Sequence, residues 1–239
     1  MNRALIFAGG TGKRMNAVSK PKQFLELHGK PVLIYTIEMF ERHPLIDDIA
    51  VVCIEGWIDE LKRHLKQNMI KKVSVVVPGG STGHDSIRMG LDAMKDAGAK
   101  DDDIILIHDG VRPLIPDRLI TENIEAVKEH RSSVSASPAL ESVVQKDDQM
   151  DIVFVPDRNN MFIAKAPQSF YLRDIFALYE RAGAKGFKSI DPADLCNRFG
   201  VKTHITPCSR FNLKITEPAD YYIFRALFEA MENEQIPGI

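Results

Sequence analysis

Ala4-Leu5-Ile6-Phe7-Ala8-Gly9-Gly10-Thr11-Gly12-Lys13-Arg14-Met15 is the stretch that decides the fold. Five apolar residues without a polar interruption suit a strand covered on both faces, and three glycines within four residues end it in a turn. The pattern returns at Ile49 to Ile54, Val73 to Val77 and Ile104 to Ile107, each run closed by a turn signal. Segments of helical period lie between these runs. Lys30 to His43 carries Val32, Leu33, Ile37 and Phe40 at helical spacing behind Pro31, which suits a first turn. Further helices are expected at Gly56 to Gln67, Asp85 to Lys95, Pro116 to Glu129, Tyr171 to Ala182 and Glu217 to Glu232. The alternation predicts an α/β fold with a mostly parallel central sheet flanked by helices. No repeat, linker or low-complexity tract divides it, so a single domain over 1–239 is expected.

Ser137 to Arg158 breaks the rhythm. Two β-prone runs, Glu141 to Gln145 and Ile152 to Val155, flank the polar Lys146, Asp147, Asp148 and Gln149, which reads as a β-hairpin over about 137–160. An isolated hairpin is marginal in water and must pack against something. A second subunit and an antiparallel edge of the same sheet both meet that need.

The chain has 239 residues, with 31 Lys plus Arg against 33 Asp plus Glu, a formal charge of -2. A general nucleic-acid binder would show a basic excess, so no nucleic-acid partner is expected. At 44% hydrophobic and 27% charged the composition excludes disorder as the main state. No apolar run suits a signal segment or a bilayer span, so the expectation is a soluble cytoplasmic protein without a membrane partner. Cys53, Cys196 and Cys208 show neither a C-x-x-C pair nor an even disulfide framework.

Against this balance, residues 1 to 25 hold Arg3, Lys13, Arg14, Lys20 and Lys22 and no acid, a window of +5 that calls for an anionic partner. Glycines let backbone N–H groups converge on phosphate oxygens, and the end of a buried strand is where α/β proteins place ligands. Two familiar phosphate loops do not match. A P-loop needs Gly-x4-Gly-Lys-Ser/Thr, but Gly12-Lys13 is followed by Arg14 and the first position is Phe7. The dinucleotide fingerprint needs a third glycine where Met15 stands and a helix directly after it. Cations on both flanks of a long loop suit a triphosphate better than the pyrophosphate bridge of a nicotinamide cofactor.

Three more segments carry polar residues at strand ends or beside them. In His108-Asp109-Gly110-Val111-Arg112-Pro113, Asp109 is placed to help hold a divalent cation on phosphates, or to pair with Arg112, or to cap the next helix. Gly79-Gly80-Ser81-Thr82-Gly83-His84-Asp85-Ser86 can admit a base close to backbone, or be a strand-to-helix turn with Asp85 or Ser86 as N-cap. Asn212-Leu213-Lys214-Ile215 sets one Lys among apolar neighbours before a helix opened by Glu217-Pro218. The remaining histidines show no metal-ligand spacing.

Together, Ala8-Gly9-Gly10-x-Gly12-x-Arg14-Met15, Pro21-Lys22-Gln23, Gly79-Gly80, His108-Asp109-x-x-Arg112-Pro113, Arg158, Ala166-Pro167-Gln168 and Asn212-x-Lys214-Ile215-Thr216 resemble the cytidylyltransferases that activate methylerythritol phosphate or ribitol phosphate. The resemblance runs along nearly the whole chain in the family's order, and it implies a Rossmann-like domain with an inserted dimerisation arm. It also implies a reaction between CTP and a phosphorylated polyol, with Mg²⁺ as cofactor and a homodimer as the assembly. Arg14, Lys22 and Lys214 would be the catalytic cations, on the triphosphate and the α-phosphate. Ala8, Gly9, Gly10, Thr11, Gly12, Lys13, Gly80, Ser81, Ser86, Asp109 and Gly110 would surround the nucleotide, Asp109 near the metal or the ribose. Arg112 would bind the acceptor, and Ser142 and Arg158, near the arm's two ends, would reach the acceptor phosphate of the neighbouring site.

Ala8-Gly9-Gly10, Phe24 after Pro-Lys-Gln, and Val111 before Arg112 look closer to the ribitol phosphate branch, with the isoprenoid precursor methylerythritol phosphate as the alternative acceptor. Ser81, Gly83, Ala166 and Ile190 depart from the family's usual residues, mostly around the acceptor. A nicotinamide-dependent oxidoreductase and a non-catalytic nucleotide sensor are the readings from other classes. The failed dinucleotide fingerprint speaks against the first, and the set Arg14, Lys22 and Lys214 against the second, since binding alone needs no cation at the reacting phosphorus.

Overall fold

The computed structural model describes residues 1–10 and 20–232, so Thr11, Gly12, Lys13 and Arg14 lie outside the described residues. The chain runs β1 (Asn2–Ala8), a 3-10 turn at Lys22–Phe24, β2 (Glu26–Leu27), β3 (Lys30–Pro31), α1 (Val32–Arg42), β4 (Asp48–Cys53), α2 (Ile58–Gln67), β5 (Val73–Pro78), α3 (Gly83–Asp96), β6 (Ile104–Asp109) and α4 (Asp117–His130). It continues through β7 (Ser132–Pro138), β8 (Gln145–Lys146), β9 (Ile152–Phe154), β10 (Phe162–Tyr171), α5 (Leu172–Ala184), α6 (Pro192–Arg198), β11 (Ile205–Pro207) and α7 (Pro218–Glu232). The four apolar runs all become strands of a seven-stranded sheet ordered β11-β7-β10-β6-β1-β4-β5. Only β10 runs against its neighbours, antiparallel to both β6 and β7.

Full coverage explains the unbroken apolar runs. In β1, Ala4, Ile6 and Ala8 face the layer that holds α1, α2 and α4, while Leu5 faces Ile87 and Leu91 of α3 and Leu178 of α5. A third cluster, built from Leu27, Val32, Tyr35, Val111, Ile215 and Phe224, docks α7 beside the strand ends.

β7 and β10 have no counterpart among the expected elements. Ser132–Pro138 reads Ser-Ser-Val-Ser-Ala-Ser-Pro, yet its first six residues are buried. Asn123 of α4 satisfies the hydroxyls: its Nδ2 donates to Ser135 Oγ at 2.9 Å, and its Oδ1 accepts from Ser133 Oγ at 2.8 Å and Ser169 Oγ at 3.1 Å. A strand paired through hydroxyls carries no hydropathy signal. The expected hairpin exists, but its first strand is Gln145–Lys146 rather than Glu141 to Gln145, and β8 and β9 form a two-stranded sheet of their own. It is therefore no edge of the central sheet. Val143, Val144, Ile152, Val153, Phe154 and Val155 are all exposed on it. Cys53, Cys196 and Cys208 are free thiols, and no helix among the described residues is long and apolar enough to cross a membrane.

Gly90 lets α3 lie flush on the sheet: a Cβ there would meet Val52 Cγ2 at 2.8 Å and the methyls of Leu5. Alanine is the better helix former by about 1 kcal/mol. Overpacking nevertheless decides the sign. Gly90→Ala is expected to lower stability by about 1–3 kcal/mol in urea unfolding, and a stabilised variant would show that α3 is free to move off β1 and β4.

Candidate functional site

β1 leads through β4 to one wing of the sheet and β6 opens the other, so the C-terminal ends of β1 and β6 mark the switch point, where α/β proteins bind ligands. Phe7 is in register with Asp109 across this boundary. A cavity of about 340 Å³ opens there, walled by Ala8, Gly10, Lys22, Gln23, Ser86, Asp109 and Lys214, with Phe7, Gly83, Val111 and Thr216 completing it.

The first wall is two loops in backbone contact. A Cβ on Gly9 would meet Gly79 Cα and Ser86 Oγ, each at 2.9 Å, so no side chain fits between them. Ser86 Oγ accepts from the Gly80 N–H at 3.2 Å and donates to the Thr82 carbonyl at 2.9 Å. Thr82, rather than Asp85 or Ser86, caps α3 by accepting from the Asp85 N–H at 3.1 Å. The N-terminus of α3 thus opens at the cavity, a placement that favours an anion. Ser81 is exposed, and its hydroxyl donates to Asp85 at 2.7 Å, as does the Lys188 ammonium at 2.7 Å. Lys188 above all, with Ser81 and Thr82, holds the Asp85 carboxyl at about 2 against a partial desolvation.

The second wall is electrostatic. Asp109 is buried, and its two oxygens are shared between cations: Lys214 Nζ lies 2.6 Å from Oδ1 and Arg112 Nε 2.7 Å from Oδ2. Burial pushes the carboxyl's pKa up, but Arg112 and Lys214 outweigh it and hold the group well below the usual carboxylate range. Arg112 Nη1 also donates to the Asn212 carbonyl at 2.9 Å. The adjacent His108 is fully buried, which pushes its pKa down to about 4, so the ring is neutral near pH 7 and its Nε2–H donates to the Arg112 carbonyl at 3.2 Å. Gly110 is buried below the cavity, where a Cβ would strike Ala8 Cβ and Leu33 Cδ1, each at 2.8 Å.

Lys22 Nζ donates to the Ile215 carbonyl at 2.8 Å, and the Ile215 N–H donates to the Val111 carbonyl at 3.0 Å. Positions 22, 109 and 214, far apart in the chain, therefore meet at one cavity. Two other members of the basic window do not join them. Arg3 is buried at the far end of β1 between Asp48 and Asp103, and Lys20 pairs with Glu26 on the surface. Ser142 and Arg158 are exposed on the arm, with Arg158 Nη1 on the Leu140 carbonyl at 3.3 Å, and neither belongs to the wall of the protomer's own cavity. Among the described residues Asp109 is the only carboxylate in that wall, and no group of three His, Cys, Asp or Glu suited to a metal occurs. This donor set fits a divalent cation held mainly by phosphate and water with a single protein carboxylate.

The model of the IspD family, 2-C-methyl-D-erythritol 4-phosphate cytidylyltransferase, matches residues 3–230. The chain belongs to this family. A ribitol-5-phosphate cytidylyltransferase of Streptococcus agalactiae is 47% identical over 100% of both chains. A 2-C-methyl-D-erythritol 4-phosphate cytidylyltransferase of Geotalea uraniireducens is 37% identical over 97% of this chain and 98% of its own. Among solved structures, 4-diphosphocytidyl-2C-methyl-D-erythritol synthase of Anaerococcus prevotii superposes with a TM-score of 0.81 at 28% identity, covering 95% of this chain and 96% of that one.

One residue of this cytidylyltransferase site was visible in the Pro21-Lys22-Gln23 motif without its role. Gln23 is buried, and its Nε2 donates to the carbonyls of Ala8 at 2.5 Å and Gly10 at 3.2 Å, bracing the start of the glycine loop. Only the converging carbonyls reveal this. Gln23→Leu strands those acceptors, at about 1–3 kcal/mol for a buried group. Calorimetric titration of the variant is expected to show CTP binding weakened by about tenfold or more, and unchanged affinity would remove Gln23 from the support of the loop.

Proposed function

We propose that this cytidylyltransferase joins CTP to ribitol 5-phosphate, giving CDP-ribitol and pyrophosphate, as a single nucleotidyltransferase domain over 1–239. The observation that carries this reading is the convergence of Lys22 and Lys214 at the switch-point cavity with Asp109, a carboxylate already paired with both Lys214 and Arg112, a surplus of positive charge that two phosphorylated substrates would neutralise. The higher identity to the ribitol phosphate enzyme, 47% against 37%, favours ribitol 5-phosphate over 2-C-methyl-D-erythritol 4-phosphate as acceptor.

A phosphate monoester has a second pKa of about 6, so near pH 7 the acceptor phosphate is already an anionic nucleophile and needs no general base. Its oxygen attacks the α-phosphorus of CTP in line. A new P–O bond forms while the bond to the bridging oxygen breaks and pyrophosphate leaves. The protein's work is alignment and charge stabilisation. Lys22 and Arg14 would hold the triphosphate and the departing pyrophosphate, and Lys214 would stabilise the α-phosphate. Gly80, Ser81, Gly110 and Ser86 would take the ribose and cytosine. Mg²⁺ is the proposed cofactor, and Asp109 is the residue that would hold it. When bound it supplies further neutralisation of phosphate charge.

Purified enzyme with CTP, Mg²⁺ and ribitol 5-phosphate is expected to release pyrophosphate, with kcat/KM well above that for 2-C-methyl-D-erythritol 4-phosphate; the reverse preference would overturn the acceptor assignment. Loss of a positioned transition-state donor costs about 2.7–4 kcal/mol, so Lys22→Ala and Lys214→Ala should each cut kcat by about a hundredfold or more.

The arm completes the reading. Its exposed apolar residues suit burial against a second copy, and a homodimer would carry Ser142 and Arg158 to the neighbouring acceptor phosphate. Arg158→Ala is expected to raise the acceptor KM by about tenfold or more, with the CTP KM little changed. The double variant Val153→Asp, Phe154→Asp should run as a monomer in sedimentation and show the same acceptor defect. A monomer with normal acceptor KM would refute the shared site.

A further inference from the structure

Lys165 stands at the root of the arm, where the pairing of β10 with β7 shifts register between Ala164 and Gln168. Its ammonium is part-buried and has no carboxylate partner among the described residues. It donates to the carbonyls of Arg210 at 3.2 Å and Asn212 at 3.1 Å. An ammonium has three N–H groups, so one donor is left over. The Asn212 carbonyl is the same oxygen that accepts Arg112 Nη1, so two cations crowd one neutral acceptor. Asn212 cannot swing away to relieve them, because its side-chain Nδ2 donates to the Ala166 carbonyl at 2.5 Å.

The groups form a continuous chain from Lys165 through Asn212 and Arg112 to Asp109 and Lys214. It holds three cations and one carboxylate, which Arg112 and Lys214 touch and Lys165 does not. Burial first, and then the Arg112 charge, pushes the Lys165 pKa down. A clamp on the 210–212 segment would need only a neutral donor. Arg112 has its Nε and Nη1 committed to Asp109 and to Asn212, so only part of its fork is left for an acceptor.

We propose that Lys165 is a substrate-binding residue that grips the phosphate of the acceptor from the same protomer that binds CTP, beside the guanidinium delivered by the arm of a second copy. This rests on the cytidylyltransferase reading above and adds to it the cis half of the acceptor site.

The test is steady-state kinetics of the full chain, by pyrophosphate release with CTP and Mg²⁺, comparing wild type with Lys165→Gln and Lys165→Arg. Gln keeps donors for the two carbonyls and removes the charge. The expected result is an acceptor KM raised by about tenfold or more in Lys165→Gln, a CTP KM within about twofold of wild type, and recovery of most of the loss in Lys165→Arg. A flatter dependence of acceptor KM on salt in Lys165→Gln would accompany it. An unchanged acceptor KM, or equal rises in both KM values together with a lowered Tm, would make Lys165 a structural clamp only and overturn the proposal. Both ribitol 5-phosphate and 2-C-methyl-D-erythritol 4-phosphate are assayed. Both carry the phosphate, so a preference for the second sinks the ribitol assignment and leaves the Lys165 comparison to be read on that acceptor.

Discussion

The site depends on one buried carboxylate. Desolvating Asp109 costs several kcal/mol, and only the paired contacts of Lys214 and Arg112 offset it. Those contacts tie the end of β6 to a segment a hundred residues further along the chain, which the hydrogen bond from Ile215 to Val111 then extends as backbone pairing. Removing the carboxylate would leave the Arg112 guanidinium buried without its acidic partner, so the site and the fold around it are one electrostatic unit. Neutralisation is incomplete by design of the count: two cations on one anion leave positive charge facing the cavity.

Positioning of this unit is set by packing, with few degrees of freedom. β1 alternates its side chains between two helical layers, so a slip by one residue would turn Leu5 into the wrong core and carry Ala8 away from the cavity. Gly9 and Gly79 hold their loops at backbone contact, and Gln23 braces the carbonyls of Ala8 and Gly10 at the start of the glycine loop. α7 contributes from outside the sheet: Phe224 packs with Ile215 in the cluster around Tyr35, which fixes the segment on which Lys214 sits.

What was legible in the sequence follows the strength of the physical signal. Uninterrupted apolar runs announced β1, β4, β5 and β6, because a strand covered on both faces has no polar positions to spare. The same signal was silent for β7, whose buried serines are satisfied by Asn123, and for β10, whose first three residues are exposed. Charge counting found the basic N-terminal window but could not see that Asp48 and Asp103 consume Arg3 or that Glu26 takes Lys20. For Asp109, pairing with Arg112 and a place in the ligand cavity were set against each other as alternatives. The structure shows both at once, because a carboxylate has two oxygens and the cation pair is what makes it tolerable there.

The two halves of the site differ in how they are held, and this bears on how acceptors diverge within the family. The nucleotide half rests on buried strand ends and on glycines that accept no side chain, so substitution there disturbs the core. Beside the buried Arg112, several residues set on the acceptor half lie on the exposed arm and on the loop before α6, where Ile190 is 85% exposed and Asp191 caps the helix. Substitution at such positions costs little stability. Relatives named for ribitol phosphate and for methylerythritol phosphate are 47% and 37% identical to this chain, and positions of this exposed kind can change at little cost to the core.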